Sequence, residues 1–152
     1  MSDTSIVVTR TLDATPNAIF DVLSNPERHH EIDGSGTVVS DDHTDRIQAA
    51  GDVFRMNMTR EAMGGDYQTD NHVTGFDENK LLAWKTAPAG SEPPGWQWVW
   101  ELHATDSATT DVTLTYDWSA MDPQLAQEVG MPVISEDDLE ASLKKLGAAA
   151  GP

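Results

Sequence analysis

The stretch GWQWVWEL, residues 95–102, decides how the rest of the chain is read. Trp96, Trp98, Trp100 and Leu102 recur at every second position, with Gln97, Val99 and Glu101 between them. Successive side chains of a β-strand point to opposite faces, so this period of two sets three indoles on one side. A helix would scatter them around its axis. Such a face is bulky, flat and apolar, and each indole carries an N–H that wants a partner when buried. It serves either as ordinary sheet core or as the wall of a pocket for a flat or greasy ligand. Parity puts Glu101 on the opposite, outer face, away from any general-base role.

The same period extends outward from this strand. On its N-terminal side a Pro/Gly loop, APAGSEPPG (residues 87–95), is too rich in breakers for regular structure. Before it, LLAWKT (81–86) puts Leu82 and Trp84 on one face, and a tight turn at 77–79 links it to a strand over 67–76. There Tyr67, Thr69, Asn71 and Val73 oppose Gln68, Asp70, His72 and Thr74. Gly64-Gly65 marks another turn, and from Asp52 onward Phe54, Met56 and Met58 alternate with Val53, Arg55 and Asn57. Residues 41–50 form a polar connection. On the C-terminal side, a turn at 106–109 leads to DVTLTYDW (111–118), where Val112, Leu114, Tyr116 and Trp118 share a face. The β-branched run IVVTRTL (6–12) and residues 37–40 supply two further strands.

Three segments carry the helical period instead. Thr15 as N-cap with Pro16 behind it opens a helix whose Ala18, Ile19, Val22 and Leu23 form one stripe. Asn25-Pro26 ends it and starts a second short helix to about His30. DGSG (33–36) reads as a hinge or lid, since it lacks the lysine and helix of a phosphate loop. Met121-Asp122-Pro123 opens a short helical stretch to about Val129, interrupted by Gly130-Met131-Pro132. Ser135 with Asp138 has the form of a capping box, followed by Leu139, Leu143 and Leu146 along one face. Lys144-Lys145 lie toward the end, where they complement the helix dipole. Strands with one apolar face and a closing helix with one apolar stripe need each other, because neither can be buried alone. An antiparallel sheet curled around that helix satisfies both and leaves a hollow wherever they fail to meet.

Bulk properties bound the function. At 152 residues the chain makes one domain with a sizeable core, and no run approaches a bilayer span. The opening MSDTSIVV has no signal-peptide pattern and there is no cysteine, so a cytoplasmic protein is expected. Asp+Glu 26 against Lys+Arg 9 gives a net charge of -17. Such a surface repels nucleic-acid backbones and anionic headgroups, which excludes nucleic acid and membrane as partners. The five histidines show no metal-ligand spacing, and no cofactor fingerprint or nucleophile motif appears.

RTLDATPNAIFDVLSNPERH at the start, GDVFRMNM in the middle, NHVTGFDENKLLAW before the tryptophan strand and the terminal PVISEDDLEASLKKL occur in one order. That ordered set resembles the START/Bet v 1-like (SRPBCC) superfamily, in its polyketide cyclase/dehydrase and lipid-transport branch. The resemblance implies an α+β helix-grip fold, a curved antiparallel sheet wrapped around a long C-terminal helix with a cavity between them. It also implies an apolar ligand in that cavity, and in some relatives cyclisation or dehydration of it. Aromatase/cyclases look to have a tryptophan after the second helix and an arginine reaching the cavity. This chain reads ERHHEIDG there, with His30 about where the tryptophan would lie.

The expectation is therefore a cavity lined by Met56, Met58, Tyr67, Asn71, Trp84, Trp98, Trp100, Tyr116, Leu139 and Leu143, with Trp96 at its rim. Asn71 is the most informative, because an inward amide is costly without a partner. Tyr116 reads equally as a core tyrosine bonded to backbone. Arg60 shares parity with Met56 and Met58 but reads as a solvent-exposed strand end. His29 and Asp33 fall near the expected mouth, in a solvated loop. The ligand expected is aromatic or lipid-like, neutral or cationic beside so acidic a surface, and no cofactor is expected. A cyclase/dehydrase-type enzyme is the first alternative and a chaperone-activator-like interaction module the second. The protein is expected as monomer or homodimer.

Overall fold

The computed structural model describes residues 4–42, 45–61 and 64–150; residues 43–44 of the polar connection lie outside them. The β-branched and alternating segments become seven strands: β1 (Ser5–Leu12), β2 (Val38–Asp41), β3 (Val53–Arg60), β4 (Gly65–Asp77), β5 (Leu81–Pro88), β6 (Gln97–Ala104) and β7 (Thr110–Asp117). They form one antiparallel sheet in the order β1-β7-β6-β5-β4-β3-β2. Consecutive strands from β2 to β7 are neighbours, and β1 closes beside β7 with Ser5 opposite Asp117 and Leu12 opposite Thr110. The fold is helix-grip: α1 (Pro16–Leu23), a 3-10 turn over Pro26–Arg28, α2 (His29–Ile32) and the C-terminal α4 (Glu136–Ala150) cover one face of the sheet, with α3 (Pro123–Val129) before α4.

Local chemistry explains the helix ends. Thr15 accepts a hydrogen bond from the Ala18 amide at 3.2 Å, with Pro16 behind it, as the cap requires. Ser135 accepts from the Asp138 amide at 3.1 Å, and Glu136, Asp137 and Asp138 place negative charge on the first turn of α4. Leu139, Leu143 and Leu146 are then buried against the sheet together with Val112 and Leu114. Each fully buried leucine contributes about 1.5–3 kcal/mol.

Four sequence expectations are corrected. Lys144 and Lys145 do not sit at a helix end, because α4 runs on to Ala150 with no basic residue in its last turn. Lys145 instead donates to the Asp33 carbonyl at 3.1 Å. Residues 33–36 are not a free hinge. The Gly34 amide donates to Ser142 Oγ at 2.9 Å, and a Cβ on Gly34 would come 2.8 Å from both the Ala141 Cβ and the Ser142 nitrogen. Glycine is there because the loop lies directly on α4. β5 continues through Ala87 to Pro88, since these residues still pair with Asp70 and Thr69 of β4 at the sheet's open end. Finally, simple alternation along β4 stops at Val73. A bulge at Thr74 sets Val73 opposite Trp84 but Phe76 opposite Leu82, and so returns Phe76 to the inner face. There its ring meets Phe20 edge-on at 5.3 Å.

Candidate functional site: a cavity between sheet and closing helix

The sheet and α4 meet tightly at one end and part at the other, leaving a cavity of about 450 Å³. This falls in the range of small-molecule sites, about 300–1,000 Å³. Strand direction orders its walls. Phe54 on β3, Trp84 on β5 and Trp100 on β6 surround the inner end, and Arg60, Tyr67, Pro88 and Trp96 surround the mouth. At about 3.3 Å per residue, the line Phe54, Met56, Met58, Arg60 on β3 spans about 20 Å.

The inner end is a stack of rings. His29 lies parallel to Trp84 with centroids 5.3 Å apart and an interplanar angle of 18°, while Phe54 meets both rings edge-on at 5.3 Å. Trp100 adjoins Trp84 at 6.4 Å. Nearer the mouth Trp98 stacks on Tyr116 at 4.2 Å with planes 6° apart. Offset stacked and edge-to-face pairs add about 0.5–1.5 kcal/mol each beyond their burial. These walls are therefore stiff.

Against this apolar frame, polar groups stand at defined places. Asn71 donates to the Phe54 carbonyl at 3.2 Å and to Thr69 Oγ1 at 3.3 Å, and accepts from Thr86 Oγ1 at 2.7 Å. The inward amide is thus satisfied by the protein, and Thr69, Asn71 and Thr86 form a polar patch on the cavity wall. Tyr116 donates weakly to Met131 Sδ at 3.7 Å and accepts from the Val133 amide at 3.4 Å, and burial pushes its phenol up to about 12. Burial also raises the Tyr67 phenol, opposed by the nearby charge of Arg60.

Most of the expected residues come together: Met56, Met58, Tyr67, Asn71, Trp84, Trp98, Trp100, Tyr116 and Leu139 all line the cavity, as does Trp96. Leu143 is not among the lining residues; one helical turn beyond Leu139 it is wholly buried in the core, where α4 has already closed on the sheet. His29 is not in a solvated loop. It is 6% exposed and lines the cavity, whereas His30 beside it points to solvent. His29 Nε2 donates to the Leu23 carbonyl at 2.7 Å, which leaves Nδ1 as the acceptor of a neutral ring. Burial, opposed by that hydrogen bond, pulls the imidazole down to about 4. Arg60 is also not a free strand end: it is half-buried and lines the mouth. Asp33 lines the cavity too, but its carboxylate accepts from the Ser35 and Val38 amides, both at 2.9 Å, and so ties the loop before β2.

Some lining residues escaped the sequence reading. Thr86 continues the parity of Leu82 and Trp84 and was findable. Val129, the last residue of α3, and Met131, Val133 and Ile134, which follow it before α4, close one side of the mouth. Their only sequence signal was an apolar run without periodicity. A second recess, lined by Gly36, Thr59, Glu61 and Asp138, shares Ser35, Thr37, Arg60, Val133 and Ile134 with the cavity. Among the described residues no three His, Asp or Glu side chains gather as a metal site requires.

Comparison with known proteins agrees with this fold. The family described as "Activator of Hsp90 ATPase homolog 1-like protein" matches residues 13–151. The chain belongs to that family, within the START/Bet v 1-like superfamily. The uncharacterised protein Rv0088 of Mycobacterium tuberculosis is 30% identical over 139 residues, 88% of this chain and 58% of the relative. The chain thus spans under two thirds of the length of the curated relatives it matches. Among solved structures, a protein from Arthrobacter aurescens superposes with a TM-score of 0.72 at 14% identity, covering 99% of this chain and 89% of that one. The Zhui aromatase/cyclase from Streptomyces sp. R1128 gives 0.67 at 15% identity, covering 96% and 92%. Major latex-like protein 151 from Panax ginseng gives 0.60 at 12%, covering 97% of each chain. At such identities these structures share the fold alone.

Proposed function

We propose that this protein binds a small apolar or aromatic molecule in the cavity between sheet and α4. The observation that carries this reading is the cavity itself, about 450 Å³ walled by stacked indoles and methionines rather than filled by them. Flat rings favour a planar ligand, and the flexible thioethers of Met56, Met58 and Met131 adapt to its outline. A cyclase/dehydrase-type activity is the second reading, supported by His29, Tyr67 and Arg60, which put ionisable groups on a lining that is otherwise mostly apolar. The likeness to an aromatase/cyclase supports it only at the level of fold. A chaperone-activator role needs a large exposed apolar patch. The large hydrophobic residues exposed among the described ones, Val7, Val39, Val53 and Val129, are spread over β1, β2, β3 and α3, which favours the cavity reading. No described helix is long and apolar enough to cross a membrane.

The test is titration with the neutral fluorophore N-phenyl-1-naphthylamine, following tryptophan quenching. Saturable binding to one site, abolished by Met58→Trp, which fills the cavity from a half-buried position, is expected. No quenching, or binding unchanged in Met58→Trp, would overturn the cavity reading. Native mass spectrometry of protein from its own host would then identify the occupant.

A further inference from the structure

Arg60 is a feature of the cavity that an apolar ligand leaves unexplained. It ends the line Phe54, Met56, Met58 on β3, half-buried at the mouth. The chain's other described ion pairs join Arg28 to Glu31, Arg46 to Asp21 and Arg55 to Asp70, but no described carboxylate lies within pairing distance of Arg60. In a chain with 26 acidic and 9 basic residues, a guanidinium without a partner among the described residues, at the edge of an apolar cavity, is conspicuous. Tyr67 stands beside it across the β3–β4 ladder, Met58 being its direct partner, and no described residue bonds to its hydroxyl. Both carboxylates of the adjoining recess, Glu61 and Asp138, line the recess and not the cavity. Asp33 puts a carboxylate on the cavity lining, but its oxygens accept from the Ser35 and Val38 amides, so on the cavity side an anion meets the Arg60 guanidinium, which no described carboxylate pairs.

We infer that the ligand is an amphipathic acid, its apolar body along Met58, Met56 and Phe54 and its carboxylate held at the mouth by Arg60 and the Tyr67 hydroxyl. This rests on the cavity reading above and replaces the neutral or cationic ligand expected from surface charge. The net charge acts at long range and is screened within about 8 Å at physiological salt, whereas the guanidinium contacts its ion directly. Arginine suits this place because its planar fork meets a carboxylate with two parallel hydrogen bonds.

The experiment compares decanoate, methyl decanoate and decylammonium as competitors for N-phenyl-1-naphthylamine on the wild-type protein, Arg60→Gln and Arg60→Lys. The wild type is expected to bind decanoate at least about tenfold more tightly than the methyl ester, the worth of a charge-assisted contact. Decylammonium should bind more weakly than either. Arg60→Gln should lose the preference for decanoate over the ester, and Arg60→Lys should keep part of it. Equal binding of acid and ester by the wild type, or an acid preference that survives in Arg60→Gln, overturns this inference and leaves the cavity reading standing. Failure of every probe to bind the wild type overturns both.

Discussion

Acid should unfold this protein earlier than its carboxylates alone require, because a neutral histidine is sealed into the core. His29 titrates at about 4 in the folded chain and near 6.5 when unfolded. In the window between those values the unfolded chain binds the proton and the folded chain does not, so stability rises with pH there. The contribution is fully present above pH 6.5, is lost progressively as pH falls toward 4, and is constant below. At about 1.4 kcal/mol for each tenfold change, that gap amounts to about 3 kcal/mol, a large part of a typical total of about 5–15 kcal/mol. His29→Phe removes the titration while keeping a ring on Trp84. It costs about 1 kcal/mol at neutral pH through the orphaned Leu23 carbonyl. The assay is urea unfolding of both proteins at intervals from pH 7.5 to 4.5. Carboxylates titrate in both, so the difference curve isolates His29. The variant should start less stable and become the more stable protein as pH falls. Parallel curves would refute the sealed, neutral histidine.

Two further substitutions separate the closed end of the fold from the open one. Gly34→Ala drives a Cβ into the backbone of α4 near Ala141 and Ser142. Overpacking of this kind costs about 1–3 kcal/mol, so thermal unfolding should show a midpoint lowered by several degrees; an unchanged midpoint would mean the loop is not held on the helix. Leu143→Ala empties a fully buried position outside the cavity and should cost about 2–5 kcal/mol in urea unfolding. Its affinity for N-phenyl-1-naphthylamine should stay within about twofold of wild type, because Leu143 does not border the cavity. Strongly weakened binding would mean that the cavity extends to Leu143.

Local rules were enough for the architecture because each acts over a few residues. Period-two alternation at Phe54, Met56 and Met58 and at Trp98, Trp100 and Leu102 identified strands and their inner faces. Thr15-Pro16 and Ser135 with Asp138 marked helix starts that hold in the structure. Parity also settled Glu101, which is exposed. The Thr74 bulge broke parity because an extra residue in a ladder leaves no trace in the period except the glycine beside it.

What alternation could not decide is how deep each inward residue lies and what stands opposite. Leu139 and Leu143 are equivalent on a helical wheel, yet only Leu139 reaches the cavity, because α4 converges on the sheet between them. His29 and His30 are adjacent and chemically identical, and one turn of α2 seals the first against Trp84 while exposing the second. Arg60 looked like a solvated strand end until the segment between α3 and α4 came to rest over the mouth. Sequence by itself determined the strands, their faces and the helix that closes them. Only tertiary structure decided which of those faces touch and which enclose empty space, since that depends on groups far apart in the chain meeting or failing to meet. The tryptophan strand joins the two: its indole face was legible in GWQWVWEL, but that Trp98 and Trp100 border a cavity follows from where α4 lies.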